Sequence, residues 1–282
     1  MLPLGFSAEK KNAENTQTSI IVSSYNMLFT FEKGHRAYTP EREKKWHLRK
    51  DTILKMVKSL NIDICGSQEL RKLQIDYLFP DDTYNYVIAP KEYDPDQRLM
   101  NNLILYKKDK FEVIENGFFW LLPQRKWRHC IWAKFREKQS KTTFYVFNIH
   151  FPTPREAGEE KQQEASQTLV ENIKKIANGQ TVILTGDFNS IETTPQIKTI
   201  KQSGLVDSKE VSKTKPQGPH FTYNYYKTSF APNTPKTKFV CIDYIFCSPN
   251  IEVNSFKVVN DCINGILPSD HYPVVAEIKT KK

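Results

Sequence analysis

The chain has 282 residues, 39% hydrophobic and 26% charged, a balance that fits a folded globular protein and excludes a disordered or fibrous one. Lys plus Arg number 41 against 32 Asp plus Glu, a formal charge of +9; this suits polyanionic partners such as phosphate-bearing substrates, although a basic balance also serves plain solubility. No run approaches the roughly 18 apolar residues of a membrane-spanning helix, and no glycine period, heptad series or internal repeat is present.

Residues 1–18 read as a disordered leader. The short apolar run ending at Ser7-Ala8 lacks the basic start and the length of a secretory signal, and Glu9 to Thr18 is polar. From Ser19 onward no Pro/Gly/Ser-rich linker divides the chain, so residues 19–282 are expected to form a single domain. The five cysteines, Cys65, Cys130, Cys241, Cys247 and Cys262, form no CxxC pair and signal neither a zinc site nor a disulfide framework. Reduced core thiols in a cytoplasmic monomer are expected, with secretion as the alternative if the start clips a signal peptide.

Ser19–Tyr25 (SIIVSSY) is predicted as a β-branched strand stopping at Asn26. Thr39 and Pro40 make a helix start, cap then first helical position, after which Trp46, Ile53, Val57 and Leu60 recur at helical spacing toward Asn61. A short strand over 62–66 and a second helix from Glu69 to Leu78 follow. Strands are expected at Tyr84–Ala89, Leu103–Lys107, Phe111–Leu121, Ile131–Phe135 and Thr143–Ile149. Glu159–Ala177 is predicted helical, with Ala165, Leu169, Ile173 and Ile176 as its core stripe, and Thr181–Thr185 as a buried strand. A helix near Pro195–Gln202 precedes strands at Phe239–Cys247, Ile251–Val259 and Val274–Ile278. Strands outnumber helices without strict alternation, which fits two antiparallel-rich sheets packed face to face better than a doubly wound parallel sheet.

Acids, amides and histidines stand where apolar strands end: Asn26, Glu69, His150, Asp187, Asn189, Asp243 and Asp270-His271. Singly, each has a plainer reading. Asn26, Asp187 with Asn189, and Asp270-His271 suit turns, Glu69 suits a helix dipole, and His150 suits a hydrogen-bonded core position. Asp243 resists such a reading, because an unpaired charge buried inside FVCIDYIFC would cost several kcal/mol. A histidine or a cation would compensate it, and Asp270-His271 supplies both kinds of partner. If the strand ends converge, Asn26, Glu69, Asp187, Asn189 and Asp270 offer oxygen atoms beside two imidazoles and no thiolate. Hard donors of this kind suit magnesium or manganese rather than zinc, and the spaced acids of a calcium loop are absent.

Taken in order, SYN, GSQE, FNIH, GDFN, IDYIF and SDHYPV resemble the motifs of the endonuclease/exonuclease/phosphatase superfamily of deoxyribonuclease I-like proteins, over residues 19–278. GDFNS and DICGSQE are similar to its deadenylase-like and uncharacterised bacterial members. The resemblance implies an α/β (α+β) four-layer sandwich, two central mixed β-sheets packed face to face and flanked by helices, with the site at one end. It implies Asn26, Glu69 and Asp270 as metal ligands and His150 as the histidine at the scissile phosphate. Asp187 and Asn189 would position attacking water and phosphate, Asp243 would orient the catalytic His271, and Arg128 and Asn102 would contact substrate. The cofactor implied is Mg2+, with Mn2+ as the alternative.

This superfamily hosts nucleases, deadenylases, inositol-phosphate phosphatases and sphingomyelinases, so it defines the reaction better than the substrate. The Arg-bearing extension of GDFN and the PAWCDR-like element of inositol polyphosphate phosphatases are replaced here by GDFNSIETT and FVCIDYIF. No exposed apolar run matches the membrane hairpin of sphingomyelinases. From Lys209 to Lys238, Lys209, Lys213, Lys215, Lys227, Lys236 and Lys238 interleave with Phe221, Tyr223, Tyr225, Tyr226 and Phe230. Such a mix suits single-stranded nucleic acid, lysines on phosphates and rings on bases, or else a solvated loop whose rings pack on a sheet edge. The expectation is a metal-dependent phosphodiesterase, a nuclease hydrolysing by in-line water attack. A phosphomonoesterase or phospholipid hydrolase is the alternative, and a non-catalytic phosphate-binding module the third reading.

Overall fold

The β-branched run after Ser19 forms β1 (Ser19–Asn26), the first strand of a computed structural model that describes residues 19–31, 33–80, 83–90, 101–231, 234–235 and 238–280. The leader expected over residues 1–18, together with Lys236, lies outside the described residues. Thr39 caps α1 (Pro40–Ser59), accepting from the Arg42 N–H, with Pro40 in the first turn where no N–H is needed. β2 (Ile64–Leu70) and the short α2 (Lys72–Leu78) follow. The helix expected from Glu69 therefore starts only at Lys72, and Glu69 belongs to the strand. The register of β2 breaks between Ser67 and Leu70, and this irregularity leaves Glu69 at φ +63. The backbone thereby turns the side chain off the regular pleat. Since Glu69 precedes the N-cap Arg71, the helix-dipole reading of its charge falls away.

β3 (Tyr84–Ile88), β4 (Asn101–Lys107), β5 (Phe111–Leu122), β6 (Trp127–Glu137) and β7 (Thr143–His150) make up the strand-rich middle. One turn of helix, α3 (Pro154–Ala157), is an addition to the predicted elements and is closed by a Thr153/Glu156 capping box. α4 (Glu159–Ala177) ends at Asn178, which takes the left-handed conformation that asparagine tolerates. Then come β8 (Val182–Asp187), α5 (Pro195–Gln202), β9 (Val206–Asp207), β10 (Asp243–Cys247), β11 (Ile251–Val258) and β12 (Val274–Thr280). β10 begins at Asp243 rather than at Phe239 because the preceding backbone is engaged elsewhere. The Val240 carbonyl accepts from Thr222 N–H, and the Thr222 hydroxyl accepts from the N–H groups of Ile242 and Asp243.

The strands form two six-stranded sheets, ordered β11-β12-β1-β2-β4-β3 and β5-β6-β7-β8-β10-β9. Each is mixed: β1 runs parallel to β2 and β7 to β8, and the other pairs are antiparallel. Three apolar cores separate four layers. Ile20, Val22, Ile104, Phe135, Val146 and Ile278 lie between the sheets. Trp46, Ile53, Met56 and Ile75 seat α1 and α2 on the first sheet, and Ala165, Leu169, Ile173, Ile197 and Ile200 seat α4 and α5 on the second. The four-layer sandwich implied by the motifs is thus the observed fold, and non-polar burial in three sheets of contact is its main stabilising term.

Near one end the central core turns polar. Gln68 Nε2 donates to Asn148 Oδ1 at 2.7 Å, Asn148 Nδ2 to the Ser67 and Leu103 carbonyls at 2.9 and 3.0 Å, and the Thr185 hydroxyl to the Phe147 carbonyl at 3.1 Å. Gly66 permits this approach, since a Cβ there would stand 1.9 Å from Thr185 Oγ1. No helix among the described residues is long and apolar enough to cross a membrane.

Candidate active site

Strand register assembles the site. His150, the last residue of β7, is paired with Asp187 at the end of β8, and Asp187 with Asp243 at the start of β10. Three side chains predicted from separate motifs thus stand on adjacent strands at one level. The facing sheet contributes Asn26 from β1, Glu69 from β2, and Asp270-His271 from the turn before β12. Asn26 Nδ2 donates to Asp187 Oδ2 at 3.0 Å and bridges the sheets. His150 Nε2 lies 3.5 Å from the same Asp187 oxygen and 4.0 Å from Glu69 Oε1. His271 Nδ1 meets Asp243 Oδ2 at 2.8 Å, and its Nε2 lies 3.8 Å from Asp187 Oδ2. The Asn189 N–H donates to Asp187 Oδ1 at 2.9 Å, so the Asx-turn is real and coexists with the cluster; its side-chain amide donates to the Phe151 carbonyl.

Burial dominates the electrostatics here. Desolvation, reinforced by the neighbouring Asp243 charge, pushes the Asp187 carboxyl up to about 7. Glu69 is raised as well, by burial first and then by the like charge of Asp270. The two histidines diverge. Burial works against a charge on His271, but Asp243 and Asp187 outweigh it and hold the ring well above its ordinary value, as an imidazolium. His150 is held well below, by burial first and then by Arg128, His271 and His129, so its ring is neutral. The charge of Asp243, costly in an apolar strand, therefore has its partner in His271.

A pH dependence follows in metal-free protein. The native state raises Asp187 from 3.8 to about 7, so it binds that proton more tightly than the unfolded chain, and stability falls as pH rises through this window. His271 has its value raised, so its contribution is fully present below 6.5 and is lost only as pH rises through the higher folded value. An Asp187→Asn variant lacks the falling term. Its urea midpoint should gain steadily on that of wild type between pH of about 4 and about 7. Parallel pH profiles would show instead that Asp187 is ionised in the native state throughout.

Two places could hold a cation. An Asp187 oxygen, an Asp243 oxygen and a His271 nitrogen lie within 4.8 Å of one another, but His271 Nδ1 is already hydrogen-bonded to Asp243. Glu69 and Asp270 make no hydrogen-bonded pair with a lysine or arginine among the described residues, although the buried Arg49 lies within electrostatic reach of both, and Glu69 accepts one backbone hydrogen bond, from Phe29 N–H at 3.3 Å. Together with Asn26 Oδ1 they offer an all-oxygen donor set with two carboxylates, which fits a hard divalent ion.

Arg128 and Asn102 have hydrogen-bond partners outside this cluster, although the Arg128 charge acts on His150. Arg128, 9% exposed, donates from Nη2 to both Glu156 oxygens at 3.1 and 2.9 Å, and Asn102 donates to the His129 carbonyl at 3.1 Å. Glu156 was legible only as the last position of the capping box T-P-R-E. Arg128 is therefore buried and paired rather than a charge at the surface. The basic, aromatic segment after Lys209 divides. Lys213 pairs with Glu252 and its N–H bonds Val253 along β11, and Phe221 packs on Tyr272 and the central core. Tyr223 reaches the cluster, its ring centroid 5.0 Å from that of His271, with Tyr225 4.3 Å beyond. Asn224, buried, fixes this loop by donating to the Ser269 and Asp270 carbonyls.

Known proteins are similar to this chain in sequence and fold. Residues 23–271 match the Endonuclease/Exonuclease/phosphatase family. The chain is 24% identical over 303 residues to the probable CCR4-Not complex 3'-5'-exoribonuclease subunit Ccr4 of Vairimorpha ceranae, covering 92% of this chain and 63% of that protein. It thus spans less than two thirds of that relative's length. An endonuclease/exonuclease/phosphatase family protein of Bacteroides thetaiotaomicron superposes with a TM-score of 0.78 at 27% identity, covering 94% of this chain and 96% of that one. The mannosyl-6-phosphatase of the same organism superposes with a TM-score of 0.77 at 28% identity, over 92% and 99% of the two chains. A match running from the end of β1 to His271, across both sheets and every strand end that supplies the cluster, places this chain in the endonuclease/exonuclease/phosphatase family.

Proposed function

We propose that the protein is a divalent-metal-dependent phosphodiesterase that hydrolyses single-stranded nucleic acid by in-line attack of water, with residues 19–282 as one catalytic unit. The observation that carries this reading is the placement of two histidines on either side of Asp187, His150 Nε2 at 3.5 Å and His271 Nε2 at 3.8 Å, with His271 anchored on Asp243. A bound Mg2+ or Mn2+ at Asn26, Glu69 and Asp270 would supply Lewis-acid charge to the phosphoryl and leaving oxygens. Asp187, with a carboxyl at about 7, is matched to accept a proton from water near neutrality. Asn189 shapes the turn that presents it. His271, kept charged and oriented by Asp243, donates to a phosphoryl oxygen as negative charge grows there. His150, neutral, donates from Nε2 beside the same oxygen without adding net charge. Arg128, oriented by Glu156, and Asn102 line the substrate side, where the guanidinium complements phosphate.

Nucleic acid is supported by the exoribonuclease relative and by the Tyr223 ring beside His271, with Tyr225 against it and Tyr226 near Asp270 in the same loop. Lys238 Nζ lies 5.6 Å from the Tyr225 ring centre and Lys45 Nζ 5.6 Å from that of Tyr226. Rings beside lysines suit stacked bases and their phosphates. A second reading, a phosphomonoesterase acting on a sugar phosphate, is favoured by the likeness to the mannosyl-6-phosphatase. A panel separates them: magnesium-dependent turnover of single-stranded RNA, single-stranded DNA, duplex DNA, a hexose phosphate, an inositol phosphate and sphingomyelin. Fastest turnover is expected on a single strand; turnover of the hexose phosphate alone would install the second reading, and none on any substrate would leave a non-catalytic module.

Charge neutralisation gives an independent check. Replacing Lys45, Lys227 and Lys238 by Gln should weaken single-strand binding and flatten its log-affinity against log-salt slope by up to about 0.7 per lost phosphate contact. Replacing Lys213 and Lys215 should change neither, because Lys213 is bonded to Glu252 along β11. Equal effects of the two sets, measured by fluorescence anisotropy, would remove the tyrosine loop from the binding surface.

A further inference from the structure

Arg49 is a charged side chain for which the reaction has no use. It lies on α1, only 1% exposed, with its guanidinium 5.2 Å from the Trp46 ring centre. Nη1 donates to the Met27 carbonyl at 2.6 Å and the Pro268 carbonyl at 3.0 Å, and Nη2 donates to the Leu28 carbonyl. No carboxylate hydrogen-bonds to it among the described residues. Burial outweighs the support that Asp270 and Glu69 give this charge from a distance; a guanidinium whose hydrogen bonds go to neutral carbonyls is costly to desolvate, so stability is a poor account of why an arginine is used.

What the three carbonyls belong to is more informative. The Met27 carbonyl and the Leu28 N–H are two ends of one planar peptide, and that N–H donates to Asn26 Oδ1 at 3.1 Å. The Leu28 carbonyl and the Phe29 N–H are two ends of the next, and that N–H donates to Glu69 Oε2 at 3.3 Å. One guanidinium therefore holds the far ends of both peptides whose near ends hold Asn26 and Glu69. Leu28, between them, has φ +51, a left-handed conformation that a leucine adopts only when its surroundings impose it. The third carbonyl, of Pro268, precedes Ser269, whose hydroxyl lies 2.7 Å from the Asn26 carbonyl and 3.3 Å from Asp270 Oδ1 and accepts from the His271 N–H.

We propose that Arg49 is a positioning residue for the cation site. Through the Met27–Leu28 and Leu28–Phe29 peptides it sets Asn26 Oδ1 and Glu69 Oε2 in place, and through Pro268 it anchors the turn that carries Asp270, touching neither ion nor substrate. The charge polarises both carbonyls and strengthens the N–H groups at the other ends. This rests on the metal reading of Asn26, Glu69 and Asp270 given above.

The test uses Mn2+ as the probe, with free ion measured by electron paramagnetic resonance during titration of metal-free protein, beside the urea midpoint and the kcat and KM of the preferred substrate. Arg49→Lys keeps the charge but cannot span three carbonyls. Its Mn2+ affinity should fall by about 10- to 100-fold, as when a residue supporting metal ligands is lost elsewhere, with kcat reduced at saturating Mn2+ and KM within about two-fold. Millimolar guanidinium should restore part of the affinity of Arg49→Ala. A lowered midpoint with wild-type Mn2+ affinity in Arg49→Lys would overturn the proposal and leave a structural arginine. If the wild-type protein binds no Mn2+, or Glu69→Gln binds it equally well, the metal reading itself fails, whatever Arg49 does. Should the Arg49 variants not fold, the wild-type protein still decides by nuclear magnetic resonance. Mg2+ should shift the Arg49 Nε and the Leu28 and Phe29 amide signals together, and unshifted signals would overturn the coupling.

Discussion

Glu69→Gln is expected to abolish divalent-metal binding and to lower turnover by about 10³-fold or more, while the sandwich remains folded. The glutamine keeps the length of the side chain and an oxygen to accept from Phe29 N–H, so only the charge is lost. That charge is the part the proposed site needs, since neither Asn26 nor one remaining aspartate neutralises a divalent ion as well. Several kcal/mol of Lewis-acid stabilisation correspond to rate factors of about 10³. Burial and Asp270 already disfavour the ionised carboxylate in metal-free protein, so the variant without metal should be at least as stable as wild type. Titration calorimetry with Mg2+ and a urea melt on the same preparation check both halves. A variant that bound Mg2+ and turned over normally would move the cation to the Asp187, Asp243 and His271 group.

His150→Ala is expected to lower kcat by about 10²–10⁴ and to change substrate affinity much less. The ring is neutral, buried, and stands within 3.5 Å of Asp187 and 4.0 Å of Glu69 through Nε2. Its Nδ1 makes no hydrogen bond among the described residues, so truncation breaks no structural hydrogen bond at that nitrogen. The remaining cost is a cavity, a modest loss of stability. A core histidine would behave in the opposite way, losing roughly 1–3 kcal/mol of stability with activity per folded molecule preserved. Measuring kcat and the urea midpoint together separates the two, and a destabilised variant with normal kcat would take His150 out of the reaction.

Much of this protein was open to reading from residue order alone. β-branched and aromatic runs mark strands, Thr39-Pro40 marks the start of α1, and the apolar stripe through Ala165, Leu169 and Ile173 marks α4; each depends on neighbours a few positions away. The motif order from SYN to SDHYPV carried the family and the four-layer fold, and it named the residues that the strand ends bring together. Asp243 announced its need for a partner, because a charge in an apolar strand is a local contradiction.

Pairing and burial decided the rest, and both depend on residues far apart in the chain. The register of β7, β8 and β10 aligns His150, Asp187 and Asp243, and no local pattern specifies which strand lies beside which. A register break in β2 moves Glu69 from a predicted helix onto a strand end. Both rings are desolvated, but His271 is hydrogen-bonded to the Asp243 carboxylate, which holds it charged, whereas Arg128, His271 and His129 add to burial in keeping His150 neutral. Lys213 and Tyr223 lie in one basic, aromatic stretch, yet β11 draws the first away while a bridge to His271 draws the second in. Arg49 was hidden altogether, since a helical arginine ordinarily faces water. Only the packing of α1 against the ends of β1 and β12 buries it on three carbonyls.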